Sequence, residues 1–411
     1  MRNPPALALL LAAALAPAAL AGEDAPRGGP APAAARAPSA PGLPWRPAEH
    51  GKGRLEVLPS GLAVLRLEGT PEEMGAQHGT LLGEAVRALV KDYLPRVLRG
   101  AREEALAKAR ELEKRIPERH VREMRALAGA AGVPYDDVLL GSVVVELFGL
   151  NLCSGAAAFG PATADGRTVV GRNLEWPDHG KLGRYGLVFA VKPEGRRPFL
   201  SVGFPAFCGV VTGMNGDGVF GAELVVMNAP DLDPETALKG VPYPILLRRV
   251  LEECGSLEEA RALVKGSPRT VAQNLLLADP SGGIVLECGP GRCSERTAAE
   301  GIVAVTNYWD EKERPRQDDP RYSGLCASFA ALGAGKVDAD AMEKSVRAAS
   351  AGLAAVMNLQ SCVFLPATLR ARVSAASPPA AAKPMTAIDG AALLGVKAPA
   401  DRAGPREGGG K

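Results

Sequence analysis

The chain has 411 residues, 46% of them hydrophobic and 4% aromatic, enough to bury one large core or two ordinary ones. Its 48 basic and 46 acidic side chains leave a formal charge of +2, which excludes the basic footprint of a nucleic-acid binder and a long acidic tail. With 48 Gly and 35 Pro, much of the sequence is expected in loops and linkers.

In chain order, Arg2, the apolar run Ala6 to Ala16 and the small-residue site Ala19-Leu20-Ala21 read as a signal peptide over residues 1–21, with Pro17 and the small-residue end favouring cleavage over the rival reading of a membrane anchor. The mature protein is then expected outside the cytoplasm, periplasmic or secreted. No later stretch reaches the ~18 apolar residues of a membrane helix, so no stable span is expected. Residues 22–51, rich in Ala and Pro without apolar period, are expected as a disordered linker, and residues 400–411 as a disordered tail. Residues 52–152 read as a helical segment. Leu82, Val86, Leu89, Val90 and Tyr93 recur at helical spacing before Pro95 interrupts, and Glu104/Lys108 and Glu111/Arg115 are spaced for an exposed helix face. Pro134 and Asp136 open a further short helix to Phe148.

The texture changes at Cys153. Short β-prone runs alternate with turn chemistry at Asp165-Gly166, Asn215-Gly216-Asp217-Gly218 and Asp279-Pro280-Ser281-Gly282-Gly283. Helices return after Pro242, at the Ser256-to-Glu259 capping box, and between Tyr322 and Met357. A strand pair is expected around Ser361 to Phe364 and Ala371 to Ala376. Strands, helices and strands again predict a layered α+β fold.

Seven cysteines (153, 208, 254, 288, 293, 326 and 362) contain no C-x-x-C pair, which argues against structural zinc. Cys288 and Cys293 flank Gly289-Pro290-Gly291 and either bridge a hairpin or pack as small buried thiols. Only four histidines exist. His50 falls in the linker, His78 in the helical segment, His120 on a charged helical stretch and His179 in a loop. No nucleophile elbow, H-E-x-x-H helix, phosphate loop or dinucleotide fingerprint is present. These absences favour hydrolysis without histidine. An N-terminal Cys, Ser or Thr serves that purpose, because its own α-amino group, with a reference pKa of ~7.7–8.0, is a suitable base.

The run Cys153-Ser154-Gly155-Ala156-Ala157-Ala158-Phe159-Gly160, with Thr163-Ala164-Asp165-Gly166 and Gly171-Arg172-Asn173-Leu174-Glu175-Trp176, resembles the start of the mature chain in cysteine N-terminal-nucleophile hydrolases. That group includes the penicillin acyltransferase family, choloylglycine hydrolases and acid-ceramidase-like amidases. Upstream, Gly69 to Gly79 is similar to the propeptide motif of the acyltransferase branch. Gly213-Met214-Asn215, Leu275 to Asp279, Val305-Thr306-Asn307 and Asn358-Leu359-Gln360-Ser361 follow in the family's order.

The resemblance implies the four-layer αββα sandwich, self-cleavage between Leu152 and Cys153, and a catalytic chain over residues 153–399 preceded by a small chain over 52–152. It implies acyl transfer from a small-molecule amide to Cys153, then to water or an amine, with neither metal nor cofactor. Arg172 would hold the thiolate and lower its pKa. Glu175, where the family has aspartate, would place the new α-amine, with Asp178 as the alternative. Asn307 would donate its side-chain amide to the oxyanion, and Asn228 would be a second donor. Arg321 would meet a substrate carboxylate or help place the nucleophile, but Arg321-Tyr322-Ser323-Gly324 fits the family poorly and favours a surface side chain. Trp176 and Phe207 either line an acyl pocket or pack in the core. Two other readings stay open: a phospholipase-B-like esterase on the same scaffold, and a non-catalytic ligand-binding relative that does not self-cleave.

Overall fold

A computed structural model describes residues 45–148, 152–226, 229, 234–309, 319–350 and 352–402. The signal segment, nearly all of the 22–51 linker, Asn228 and the tail beyond residue 402 lie outside the described residues. Within the span read as linker, Trp45 is buried and Ala48–His50 forms a strand. The apolar Trp45 fixes this stretch to the core, which a composition-based reading of residues 22–51 does not register.

Sixteen strands are present among the described residues: β1 Ala48–His50, β2 Gly53–Val57, β3 Ala63–Gly69, β4 Leu152–Ala158, β5 Val169–Glu175, β6 Leu187–Pro193, β7 Phe199–Gly203, β8 Thr212–Asn215, β9 Phe220–Val225, β10 Gln273–Asp279, β11 Gly282–Gly289, β12 Arg292–Arg296, β13 Ile302–Val305, β14 Asn358–Leu365, β15 Arg370–Ala375 and β16 Thr386–Asp389. They form two sheets. The larger runs β1-β2-β3-β6-β7-β8-β9-β10-β11-β12, the smaller β13-β4-β5-β14-β15-β16. Residues 52–69, read above as part of a helical segment, therefore contribute strands. Leu55, Leu65 and Leu67 face the helical layer while Val64 faces the second sheet, the two-residue period of strands buried on both sides.

One helical layer covers the larger sheet. It comprises α1 Pro71–Leu81, α2 Gly83–Ala88, α3 Leu94–Leu98, α4 Arg102–Glu113, α5 Glu118–Ala131, α6 Tyr135–Phe148, α7 Tyr243–Glu253 and α8 Leu257–Gly266. Pro95 lies in the first turn of α3, where a missing N–H costs nothing, and the helix runs on past it. Thr70 and Glu73 form a reciprocal capping box that starts α1. Gly75 and Gly79 let α1 approach α5 closely, since a Cβ at either would sit 2.2 Å from the Glu123 carbonyl or 2.4 Å from that of Leu127. On α4, Lys108 pairs with Glu104 at 2.7 Å as spaced, whereas Glu111 takes Lys114 rather than Arg115.

The smaller sheet is covered by α9 Pro320–Leu332 and α10 Ala339–Ala349. Three cores separate four layers. Leu65, Phe189 and Leu275 of the larger sheet pack on Met124, Leu139 and Leu247 of the helices. Cys153, Leu174 and Cys362 face Val188, Leu224 and Leu276 between the sheets. Ala156, Ala158 and Val363 meet Phe329, Met342 and Val346 on the outer side. The architecture is the expected αββα sandwich.

Candidate active site

Strand β4 begins at Leu152 and is buried along almost all of its length, which its small residues permit because both neighbouring layers approach closely. It pairs antiparallel with β5, placing Cys153 opposite Leu174, Gly155 opposite Arg172 and Leu152 opposite Glu175. Paired residues share a face, so Cys153, Arg172 and Leu174 point between the sheets, while Leu152 and Glu175 point the other way.

On its other edge β4 pairs with β13, and the ladder ends at Val305 opposite Gly155. Two residues on, the same register brings Asn307 opposite Cys153. There a side chain replaces the ladder: the Cys153 N–H donates to Asn307 Oδ1 at 2.7 Å. Arg321 Nη2 donates to the same oxygen at 3.0 Å, and Arg321 Nη1 donates to the Cys153 carbonyl at 3.1 Å. Two donors on one oxygen fix which way the amide points. Its nitrogen donates to the Val225 carbonyl at 2.8 Å. Asn307 therefore meets Cys153 through its acceptor oxygen, while its amide nitrogen is on β9.

Arg321 corrects the reading as a surface side chain. Only 11% of it is exposed, and Asp319 holds it through contacts of 3.1 and 2.6 Å. Asp319 also caps α9, accepting the Arg321 N–H, with Pro320 following it. The Asp-Pro start of a helix was legible in the sequence and would have placed Arg321 at a helix N-terminus.

Arg172 is fully buried. It donates to the Asn173 carbonyl and, at 2.7 Å, to the Glu223 carbonyl, so it ties β5 to β9. Burial pushes the Cys153 thiol up from its ordinary value. Arg172 opposes that shift without overcoming it, and Glu175 adds to it. Arg172 thus acts on the thiol in the expected direction, but burial outweighs it.

Glu175 is also fully buried, and its Oε1 accepts from Asn358 Nδ2 at 3.0 Å. Burial raises its pKa to about 7 against the pull of Arg321, Asn358 and Arg172. Asp178 is used elsewhere: it closes its own turn by accepting the Gly183 N–H at 2.6 Å. His120, read as part of a charged stretch, is buried against Glu252 at 3.1 Å, and His78 packs at a tilt against Phe189, so neither reaches Cys153. The Cys288 and Cys293 sulfurs face each other 2.7 Å apart across the β11–β12 pair.

Beside Leu174, on the Cys153 side of β5, opens a cavity of about 90 Å³ whose lining is almost wholly apolar. Leu89, Tyr93, Val144, Leu174, Trp176 and Phe207 contribute to it. Trp176 and Phe207 line this cavity and also pack in the core between the sheets.

The family model of acyl-coenzyme A:6-aminopenicillanic acid acyl-transferase matches residues 162–322. This is the family the motifs resemble. The acyl-transferase match takes in Arg172, Glu175, Asn307 and Arg321 and begins after Cys153. Over 283 residues the chain is 29% identical to an uncharacterized protein of Archaeoglobus fulgidus, covering 60% of this chain and 46% of that one. Over 239 residues it is 26% identical to protein dcd1B of Dictyostelium discoideum, covering 51% and 47%. The chain spans about half the length of these curated relatives. Among solved structures, the Caenorhabditis elegans N-acylethanolamine-hydrolyzing acid amidase ortholog aligns with a TM-score of 0.46 at 18% identity, over 52% of this chain and 93% of that one.

Proposed function

We propose that this chain is an exported N-terminal-nucleophile amidohydrolase or acyltransferase that frees Cys153 by self-cleavage. The carrying observation is that both backbone polar groups of Cys153 are held by distant side chains, Asn307 on its nitrogen and Arg321 on its carbonyl. A structural cysteine in a strand has no need of such partners. A residue whose nitrogen becomes a free amine does, because that amine must stay in place once the bond before it breaks.

Self-cleavage starts when the Cys153 thiol attacks the Leu152 carbonyl carbon. The peptide C–N bond breaks, and the thiol proton passes to the departing nitrogen. Water then hydrolyses the resulting thioester, leaving a carboxylate on Leu152 and a free thiol and α-amine on Cys153. In turnover the α-amine takes the thiol proton, and the thiolate attacks the substrate carbonyl. The C–N bond breaks, the amine leaves with that proton, and water or a second amine releases the acyl group. The apolar cavity beside Leu174 suits a small-molecule amide with an apolar acyl group.

Mass spectrometry of the purified protein tests the reading. The parent should give two chains, the second beginning at Cys153, and Cys153→Ala should give one. A parent that stays intact yet binds a ligand would favour the non-catalytic relative. Turnover of esters but not amides would favour the esterase.

A further inference from the structure

Asn307 stands just past the point where its strand stops. The ladder from β13 to β4 ends at Val305, so it no longer sets the position of the residues that follow. Even so, the Asn307 side chain reaches the Cys153 N–H at 2.7 Å. Asn274 supplies the missing hold. It lies on β10, opposite Leu224 of β9 and Glu287 of β11, and is fully buried. Like Leu276 two residues on, it faces the smaller sheet. Its Nδ2 donates to the Thr306 carbonyl at 2.9 Å and to the Tyr308 carbonyl at 3.0 Å. One amide nitrogen thus uses both of its hydrogens on the carbonyls that flank Asn307.

The orientation of that amide follows from what a flip would do. Turned over, it would set Oδ1 against two carbonyl oxygens and lose both bonds. Oδ1 itself has no hydrogen-bond partner among the described residues. Burying an amide with its oxygen unpaired costs stability, so cohesion alone would be served better by an apolar residue. One strand over, the Val225 carbonyl accepts from Asn307 Nδ2 at 2.8 Å. The larger sheet therefore grips residues 306–308 at both flanking carbonyls and at the side chain between them. Upstream, β13 has its own tether. Arg296 donates to Glu287 at 3.3 Å and also to the Ala304 carbonyl. Loss of the Asn274 amide would free residues 306–308 and leave β13 in place.

We propose that Asn274 is a positioning residue, which keeps Asn307 on the Cys153 N–H by clamping the backbone on either side of it. Its use in self-cleavage rests on the reading of Cys153 as nucleophile; the clamp itself does not. Asn274→Leu keeps the size of the side chain and removes both donors. In the uncut Cys153→Ala chain, it should speed residue-resolved hydrogen exchange at position 153 about tenfold more than at Ala156 in the middle of β4. In the chain that keeps its cysteine, followed from cell-free synthesis, the terminus at Cys153 should appear about tenfold more slowly, or slower still. With Asn307→Ala already present, Asn274→Leu should add less than about twofold, because the group it positions is gone. A residue that merely stiffened β10 would slow both backgrounds alike.

Exchange at position 153 that rises no more than at Ala156 overturns the assignment, as does equal slowing in both backgrounds. Should Asn274→Leu fail to fold, Asn274→Ser, smaller and with one hydrogen to donate, takes its place with the same expectations. A selective rise at position 153, in a protein whose parent never divides, supports the clamp and counts against Cys153 as nucleophile. No selective rise, in a protein whose parent does divide, removes Asn274 and leaves the reading of Cys153 standing.

Discussion

At the scale of single residues, Glu175 and Glu146 carry the clearest pH signature. Glu175 is fully buried and Glu146 partly so, and loss of water raises each to about 7. A carboxyl raised above its unfolded value of 4.5 contributes stability fully present below that value and lost as pH rises through the folded value. The uncleaved Cys153→Ala protein should therefore lose thermal stability between about pH 4.5 and 7. Glu175→Gln should flatten that slope; thermal midpoints across this range check it, and an identical slope in the variant would remove Glu175 from the account. Asn307 and Arg321 act together on the backbone of Cys153. Asn307→Ala should slow self-cleavage about 10²-fold through misplacement of the reacting groups, with a smaller effect for Arg321→Lys, which keeps the charge. The measurement is the rate of appearance of a chain beginning at Cys153. Cys153, Arg172 and Glu175 were legible because they fall within one hairpin. Asn307 was legible only through its short Thr-Asn motif, and the hold of its oxygen on the Cys153 N–H was not. Arg321 was not, since its contact with Cys153 depends on where α9 begins in space.

At the scale of elements, the turn dipeptides marked the β7–β11 region well, because Asn-Gly and Asp-Pro chemistry is local. The strands before Thr70 escaped notice, since β3 finds its partner β6 more than a hundred residues later. The same distance hides the buried cluster joining α5 to α7. Arg248 on α7 forks onto Glu123 of α5 at 3.0 and 2.5 Å and holds Glu252 at 2.9 Å, while His120 closes the other side of Glu252. Arg248, with His120 and Arg119 beside it, holds Glu252 well below the usual carboxylate range, even though burial pulls the other way. Its contribution is present above pH 4.5 and lost as pH falls below that. Arg248→Met would leave Glu123 and Glu252 buried without their cation and should destabilise the uncleaved chain by about 3–5 kcal/mol, read from its urea midpoint. Replacing all three charged residues with apolar ones of similar size should recover much of that loss.

At the scale of the whole molecule, the proposed cut at Leu152–Cys153 would not divide the fold into two bodies. The segment before it supplies three strands of the larger sheet, and β3 lies parallel to β6 from Ala63 opposite Leu187 to Gly69 opposite Pro193. It also supplies α1 to α6 and a large part of the apolar cavity wall. The two products should therefore co-elute on a sizing column under native conditions and separate only in denaturant. The parallel pairing has a further consequence, for the way the protein is made and lost. While the chain is whole, closing the loop between β3 and β6 is an event within one molecule, whose cost grows only slowly with loop length. Once the chain is cut, the same pairing becomes a meeting of two molecules. Cys153→Ala should refold from urea at a rate independent of concentration, whereas the matured protein should refold more slowly on dilution or not at all. Maturation would then make folding a journey taken once: the cut protein would be protected by how slowly it opens, and after opening it would have no short way back.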